Sequence, residues 1–226
     1  MFYAPELNPE SQEFVLNEEE SKHCVRVLRK EVGDIIELLD GKGGGYVAEI
    51  TAANPKKCSL SIIRYVFYPP TTTVHLAVAP TKNMDRMEWL VEKATELGCT
   101  HVSFLQTKRT ERSSINMERL TKIAVAAMKQ SKRTYLPQLD APIPFVEFVQ
   151  TFPGGWMAHC LDHEKRQELN ESVERRILIG PEGDFTQEEI ADALSNGYKA
   201  ISLGEARLRT ETAALKSVMM LELLGE

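Results

Sequence analysis

Between Ile177 and Ala213 the chain twice repeats one pattern: a short apolar run, a loop carrying glycine, and the start of a helix. The first run, Ile177-Leu178-Ile179, leads into Gly180-Pro181-Glu182-Gly183-Asp184-Phe185. The second, Lys199 to Leu203, leads through Gly204 and Glu205-Ala206-Arg207-Leu208-Arg209 to Thr210-Glu211-Thr212-Ala213. Short apolar runs that alternate with helices read as strands of an open α/β sheet, which binds ligands at the carboxyl ends of its strands. The two loops are therefore expected side by side, around a small ligand held largely by backbone groups. Gly180 and Gly183 are expected to supply positive φ or close backbone approach, and Pro181 to stiffen the turn. Thr186 and Glu189 read as a capping box, Gly197 as a helix stop, and Thr210 as the cap of a last helix from Glu211 to Leu224. Arg207 and Arg209 stand just ahead of that cap and present cations beside the pocket.

The alternation extends upstream. Strands are expected at Val74–Ala79, Cys99–Leu105, Trp156–Leu161 and Arg176–Ile179, and helices at Met84–Leu97, stopped by Gly98, and at Met117–Gln130. Met87, Leu90, Val91, Ala94 and Leu97 mark one buried helical stripe, and Met117, Leu120, Ile123, Ala124, Ala127 and Met128 another. Lys93 and Glu96 are spaced to pair along their helix. Tyr68-Pro69-Pro70-Thr71-Thr72-Thr73 is the best domain boundary, because two prolines prevent regular structure. Before it, short strands with turn signals suggest a small β-barrel. Asp34–Leu39 and Tyr46–Ile50 are joined by the glycine run Asp40–Gly45, which matches neither phosphate-binding motif and reads as a hairpin turn. One helix interrupts the strands, from a capping-box-like Asn17-x-x-Glu20 through Ser21 to Arg29.

Composition narrows the function. The net charge of −6 argues against a general nucleic-acid binder, but residues 82–133 carry 11 basic and 6 acidic side chains, a basic band in an acidic chain. Such a band is either a phosphate-facing surface or a solvated helical face. The four cysteines are scattered without a C-x-x-C pair, so neither a zinc ribbon nor a disulfide scaffold is indicated. His159 and His163 are spaced i, i+4 but lack a third ligand nearby, so no metal is expected. No apolar run approaches the ~20 residues needed to span a bilayer. Met1-Phe2-Tyr3-Ala4-Pro5-Glu6 is not the start of a signal peptide, so a cytoplasmic protein is expected.

Gly180-Pro181-Glu182-Gly183 with Phe185, then Leu203-Gly204 and Leu208-Arg209-Thr210-Glu211-Thr212-Ala213, resemble the RsmE family of 16S ribosomal RNA (uracil-N3) methyltransferases in the SPOUT superfamily. The family usually has a second glycine where this chain has Asp184. Further matching segments are His23-x-x-x-Val27-Leu28-Arg29, Gly33-Asp34, Asp40-Gly41, Lys82 with Asp85-Arg86-x-Glu88-Trp89, Glu92-Lys93-Ala94-Thr95-Glu96-Leu97-Gly98, and Ala127-x-x-Gln130-Ser131-x-Arg133. The resemblance implies a PUA-like RNA-binding β-barrel over residues 1–70 and a SPOUT α/β domain over 71–226, with a parallel sheet and a trefoil knot. It implies a homodimer acting on 16S ribosomal RNA or the assembled small subunit, with no membrane, and S-adenosyl-L-methionine as methyl donor. The donor would lie among Ile179, Gly180, Pro181, Glu182, Gly183, Leu203, Gly204, Leu208 and Ala213. Arg209 and Glu211 are the catalytic candidates, Arg209 as the cation that stabilises charge on the carbonyl oxygens of the target base. Arg26, Arg29, Lys30, Lys129 and Arg133 are the RNA-contact candidates. Two other readings remain at this level: methylation of a ribose 2′-oxygen or a transfer-RNA base, and a non-catalytic RNA-binding assembly factor.

Overall fold

The computed structural model describes residues 1–70, 73–111, 114–159 and 174–224. Thr71 and Thr72 of the expected linker, and Cys160, Leu161 and His163, lie outside them. The chain divides into two compact units, Met1–Pro70 with Val125–Leu136, and Thr71–Ala124 with Pro137–Glu226.

The first unit contains β1 (Phe2–Tyr3), β2 (Glu13–Val15), α1 (Glu18–Lys22), β3 (Ile35–Leu39), β4 (Gly44–Ala52) and β5 (Ser59–Phe67). The strands form a mixed sheet in the order β1-β3-β4-β5-β2, a half-barrel in which β1 runs parallel to β3 and the other pairs are antiparallel. Its core packs Phe2, Leu16, Leu38, Tyr46, Ile50 and Leu60, each almost fully buried. The glycine run is the β3–β4 turn, and its organiser is Asp40. That carboxylate accepts from the backbone N–H of Lys42 (2.7 Å) and Gly44 (2.9 Å) and from the Tyr46 hydroxyl (3.2 Å). A Cβ on Gly44 would collide with the carboxylate, so only glycine lets it fold inward. Asn17 caps α1 by accepting from Glu20 N at 2.8 Å. The reciprocal half of the expected box is absent: Glu20 Oε1 instead accepts from Lys129 Nζ at 2.6 Å and from Tyr3 N at 3.4 Å. The helix expected to run on to Arg29 changes at His23 into a π-helical turn, His23–Val27, and Arg29 follows at φ 53°.

The second unit contains β6 (His75–Val78), α2 (Met84–Glu96), β7 (His101–Gln106), the first half of α3 (Met117–Ser131), β8 (Gln138–Leu139), β9 (Ile143–Pro144), α4 (Phe145–Thr151), β10 (Gly155–Ala158), β11 (Arg176–Ile179), α5 (Gln187–Ser195), β12 (Tyr198–Ile201) and α6 (Thr210–Leu223). All of its strands pair in parallel, in the order β12-β10-β11-β6-β7-β8, with β9 beside β7. A parallel sheet is covered on both faces, and β6 is accordingly buried at every residue. The expected stripe of α2 is buried through Met87, Leu90, Val91 and Ala94; Asn83 caps its start and Gly98, at φ 91°, follows its end. At α5 both halves of the Thr186–Glu189 box are present, and Gly197 leaves the helix at φ 86°.

Candidate active site

The carboxyl ends of β10, β11 and β12 open into a cavity of ≈ 920 Å³, at the upper end of the usual range for small-molecule sites. Ile179 closes β11, and Gly180, Pro181, Glu182 and Gly183 turn along one wall; Leu203, Gly204, Leu208 and Ala213 form the opposite wall. All nine residues proposed from sequence as ligand contacts line this one space, and Arg209 stands at its rim. The strands that lead into the two loops are not neighbours, however. β10 lies between their strands, with Ala158 in register with both Ile179 and Ile201. Two strand spacings, roughly 10 Å, therefore separate the walls, and Ala158 and the buried His159 line the space between them. His159 is a cavity residue that sequence considered only as half of a metal pair.

In the first loop the glycines, Gly180 and Gly183, do not supply positive φ; the left-handed residue is Asp184, at φ 62°. Asp tolerates this region better than most residues because its short side chain bonds locally, and here Oδ1 accepts from Phe185 N at 2.8 Å. Gly180 is needed for closeness instead: a Cβ there would sit 3.1 Å from the buried Phe185 ring. The loop is held from outside by the segment after β7. Arg109 Nη1 donates to Gly183 O at 2.6 Å, and Lys108 N donates to Glu189 Oε1 at 2.8 Å. Nothing in the local sequence of Lys108-Arg109 signals this clamp.

The second loop is tied to the first at its far end. α6 begins at Thr210, one residue earlier than expected, and Thr210 does not cap it: Arg209 is the N-cap residue and makes no side-chain cap bond. The Thr210 hydroxyl donates to Gly180 O at 3.2 Å, joining the two walls. Lys216 Nζ fixes Leu203 by donating to its carbonyl at 2.7 Å. Arg207 and Arg209 are exposed, and their side chains make no ion pair or hydrogen bond among the described residues. Glu211 is turned away from the main cavity, into an adjoining groove lined also by Asp85, Arg86 and Trp89. Arg86 borders both spaces; from sequence it was named only within a matching segment and given no role.

The basic band is largely neutralised in place. Lys82, Arg86, Lys93, Lys108, Arg119, Lys122 and Lys129 each face a carboxylate within ion-pair distance. Of the RNA-contact candidates in the first unit, Arg26 and Arg29 are exposed; Lys30 lies 3.6 Å from Asp34, Lys129 is bound to Glu20, and Arg133 is half-buried.

A second polar cluster lies at the amino ends of β6, β7 and β11. His75 and His101, paired in register, stack with ring centroids 3.7 Å apart and planes within 4°. Arg176 Nε donates to His75 Nδ1 (3.2 Å), His75 Nε2 faces Ser103 Oγ (2.8 Å), and Ser103 and His101 both reach Asp140 Oδ2 (2.6 and 2.5 Å). A metal must lie in the plane of each ligating ring, and parallel stacked rings do not share an in-plane point. With a guanidinium on the remaining nitrogen of His75, the cluster reads as a structural network. Burial, then the neighbouring His101 and Arg176, push the His75 pKa down to about 3.

Residues 69–222 match the model of an RNA methyltransferase domain, and residues 16–63 that of an RNA methyltransferase PUA domain. The chain is 32% identical to ribosomal RNA small subunit methyltransferase E of Rickettsia conorii, over 96% of this chain and 92% of that protein. Among solved structures, a probable rRNA-methyltransferase from Porphyromonas gingivalis is 36% identical, with TM-score 0.90 over 99% of this chain and 97% of that one. The ribosomal RNA small subunit methyltransferase E of Neisseria gonorrhoeae, bound to S-adenosyl methionine, is 25% identical, with TM-score 0.88 over 99% and 96%.

Proposed function

The chain belongs to the ribosomal RNA small subunit methyltransferase E family, and on that premise we propose that it methylates N3 of a uridine in 16S ribosomal RNA, with S-adenosyl-L-methionine as donor. The observation that carries the reading is the convergence of Ile179, the Gly180–Gly183 turn, Leu203, Gly204, Leu208 and Ala213 on one cavity with the exposed Arg207 and Arg209 at its rim. The cavity's own chemistry fits the donor. Ile179, Ile201, Leu203 and Leu208 offer apolar walls to a purine, glycine and proline turns offer backbone groups to its edge, and the carboxylates of Glu182, Asp184 and Glu205 stand where a cationic ligand is favoured.

When bound, the donor supplies a methyl group activated by a positively charged sulfur. The chain's residues then have two tasks. The loops orient the reactants, which removes entropic cost from the step. Arg209 places a permanent cation where negative charge develops on the carbonyl oxygens flanking N3. The target base must be accessible, either in a loop or turned out of its stack. The half-barrel unit, with exposed Arg26 and Arg29, supplies sequence-independent phosphate contacts.

The active form is a homodimer with the donor site near its interface. α6 carries apolar side chains outside its buried face, Met219 and Leu223 being 50% and 64% exposed. Large exposed apolar side chains on one helix mark an interaction surface, and a second copy covers them. We infer a trefoil knot in the second unit; in support of it, after the edge strand β12 the chain lays α6 against β11 and β6. No helix among the described residues is long and apolar enough to cross a membrane, in keeping with action on ribosomal RNA in the cytoplasm. The test is methyl transfer from labelled donor to small subunits purified from cells lacking the protein, followed by nucleoside mass spectrometry. N3-methyluridine is expected; label in a ribose 2′-oxygen or another base, or no label, refutes the function.

A further inference from the structure

We propose that the groove beside the donor cavity receives the target base and that Glu211 takes the proton from its imide nitrogen; this rests on the N3-uridine reading above. The groove, of ≈ 620 Å³, is lined by Asp85, Arg86, Trp89, Arg207, Arg209 and Glu211, and it shares the three arginines with the cavity.

Glu211 is in an unusual position for a residue in the first turn of a helix. A carboxylate there is favoured by the helix dipole, but that benefit is available to an exposed side chain. Glu211 is only 6% exposed. Its Oε1 lies 3.7 Å from Arg86 Nε, and its Oε2 is buried with no hydrogen-bond partner among the described residues. A buried acceptor left without a donor costs roughly 1–3 kcal/mol, and more when charged. Such a position is explained when the donor arrives with the substrate. The uracil imide presents an N–H between two carbonyl oxygens. Its complement is an acceptor flanked by cations, and Glu211 Oε2 with Arg86 beside it and Arg209 on the same rim provides that arrangement. Trp89 lies one helical turn from Arg86 on α2, with an exposed indole on which a base turned out of its stack can rest.

In the step assigned to Glu211, the N3–H bond breaks, its electron pair stays on nitrogen, and the proton joins Oε2, so the carboxylate becomes a neutral carboxylic acid. The negative charge now on the base spreads to its two carbonyl oxygens, which face the arginines. The nitrogen is then the nucleophile that methylation requires.

The experiment uses the full chain and small subunits from cells lacking the protein, grown with or without 5-fluorouracil, whose fluorine makes the imide more acidic. Wild type is expected to form N3-methyluridine. Glu211→Gln is expected to lose about 100-fold or more in kcat, within the range of general-base catalysis, while its donor affinity by calorimetry stays within about twofold. The defect is expected to shrink at least tenfold on fluorinated subunits, because an acidic imide needs less help. Glu211→Asp keeps the charge beside Arg86 but withdraws the oxygen, and is expected to bind donor normally and lose about tenfold in kcat. Trp89→Ala is expected to raise KM for subunits more than it lowers kcat. Near-wild-type turnover in both Glu211 variants overturns the proposal, as does an equal defect on both substrates accompanied by weakened donor binding. A wild type that forms no N3-methyluridine sinks the underlying function instead, and is distinguished by that.

Discussion

Glu189 is the point at which a change remote from the ligand should reach the donor cavity. Its carboxylate accepts from two backbone donors on different segments: Thr186 N at 2.8 Å, closing the α5 capping box, and Lys108 N at 2.8 Å, anchoring the segment whose next residue, Arg109, clamps Gly183. The residue is 3% exposed, so water does not replace either bond. Hydrogen bonds to a charged acceptor contribute about 1.5–3 kcal/mol each, and the Thr186 hydroxyl retains its own bond to Glu189 N. Glu189→Ala should therefore cost about 3 kcal/mol. Glu189→Gln, which keeps one acceptor and turns an amide N–H towards the second donor, should cost about 2 kcal/mol. The loosened clamp should also reach the ligand: if about 1 kcal/mol of loop order is lost, donor Kd rises roughly fivefold. Urea unfolding at constant slope gives the first quantity and calorimetry with S-adenosylmethionine the second. Arg109→Ala is the control, expected to weaken donor binding with little loss of stability because its side chain is on the surface. A Glu189→Ala midpoint shift worth under 1 kcal/mol, or donor affinity unchanged in both variants, would refute the linkage.

Three further outcomes are expected. Asp184→Gly should change stability by less than about 0.5 kcal/mol, since relief of the left-handed conformation offsets the lost local bond and the looser unfolded chain, whereas Asp184→Val should cost about 1–2 kcal/mol; equal urea midpoints for Gly and Val variants would contradict this. The folded-state pKa of His75, near 3, lies below the unfolded value of 6.5, so the unfolded chain binds the extra proton between them. Stability is complete above about pH 6.5 and falls as pH drops towards 3, by on the order of 5 kcal/mol at most; unfolding at pH 7, 5 and 4 should show the slope in wild type and a shallower one in His75→Gln, and identical slopes would sink the assignment. Arg209→Ala should keep donor affinity within a few-fold and lose methyl transfer; unchanged turnover would remove Arg209 from the mechanism.

What sequence could reveal depended on whether the cause was local. The strands of the second unit were visible because both faces are buried, so Arg176–Ile179 and its neighbours are continuous apolar runs. α4 was not, although Phe145, Phe148 and Val149 follow helical spacing, because prolines and glycines on both sides made the segment resemble a loop. The two-residue strands β8 and β9 have no local signature at all; they exist because β7 offers them an edge. Strand order was equally hidden. Local pattern could say that β11 and β12 end in ligand loops, but crossovers decide neighbours, and β10 came between them.

The same division runs through the site. Residues that act by backbone shape, such as the Gly180–Gly183 turn and Gly204, were found, because glycine and proline announce themselves. Even there local pattern left positive φ and close approach open for the glycines; Gly180 supplies closeness, and Asp184, able to bond locally, carries the positive φ. Side chains that act across the fold were found late or not at all. Arg86, Arg109 and His159 are ordinary residues of their segments until the sheet is assembled. Glu211 was a catalytic candidate from the resemblance, but only its burial, with one oxygen unpaired among the described residues, separates a helix-terminal charge from a group waiting for a proton. A variant that keeps the helix and the charge but moves that oxygen, Glu211→Asp, therefore discriminates between the two roles more sharply than removal of the side chain, since a dipole contact tolerates one methylene of displacement while a proton transfer is slowed, here by about tenfold.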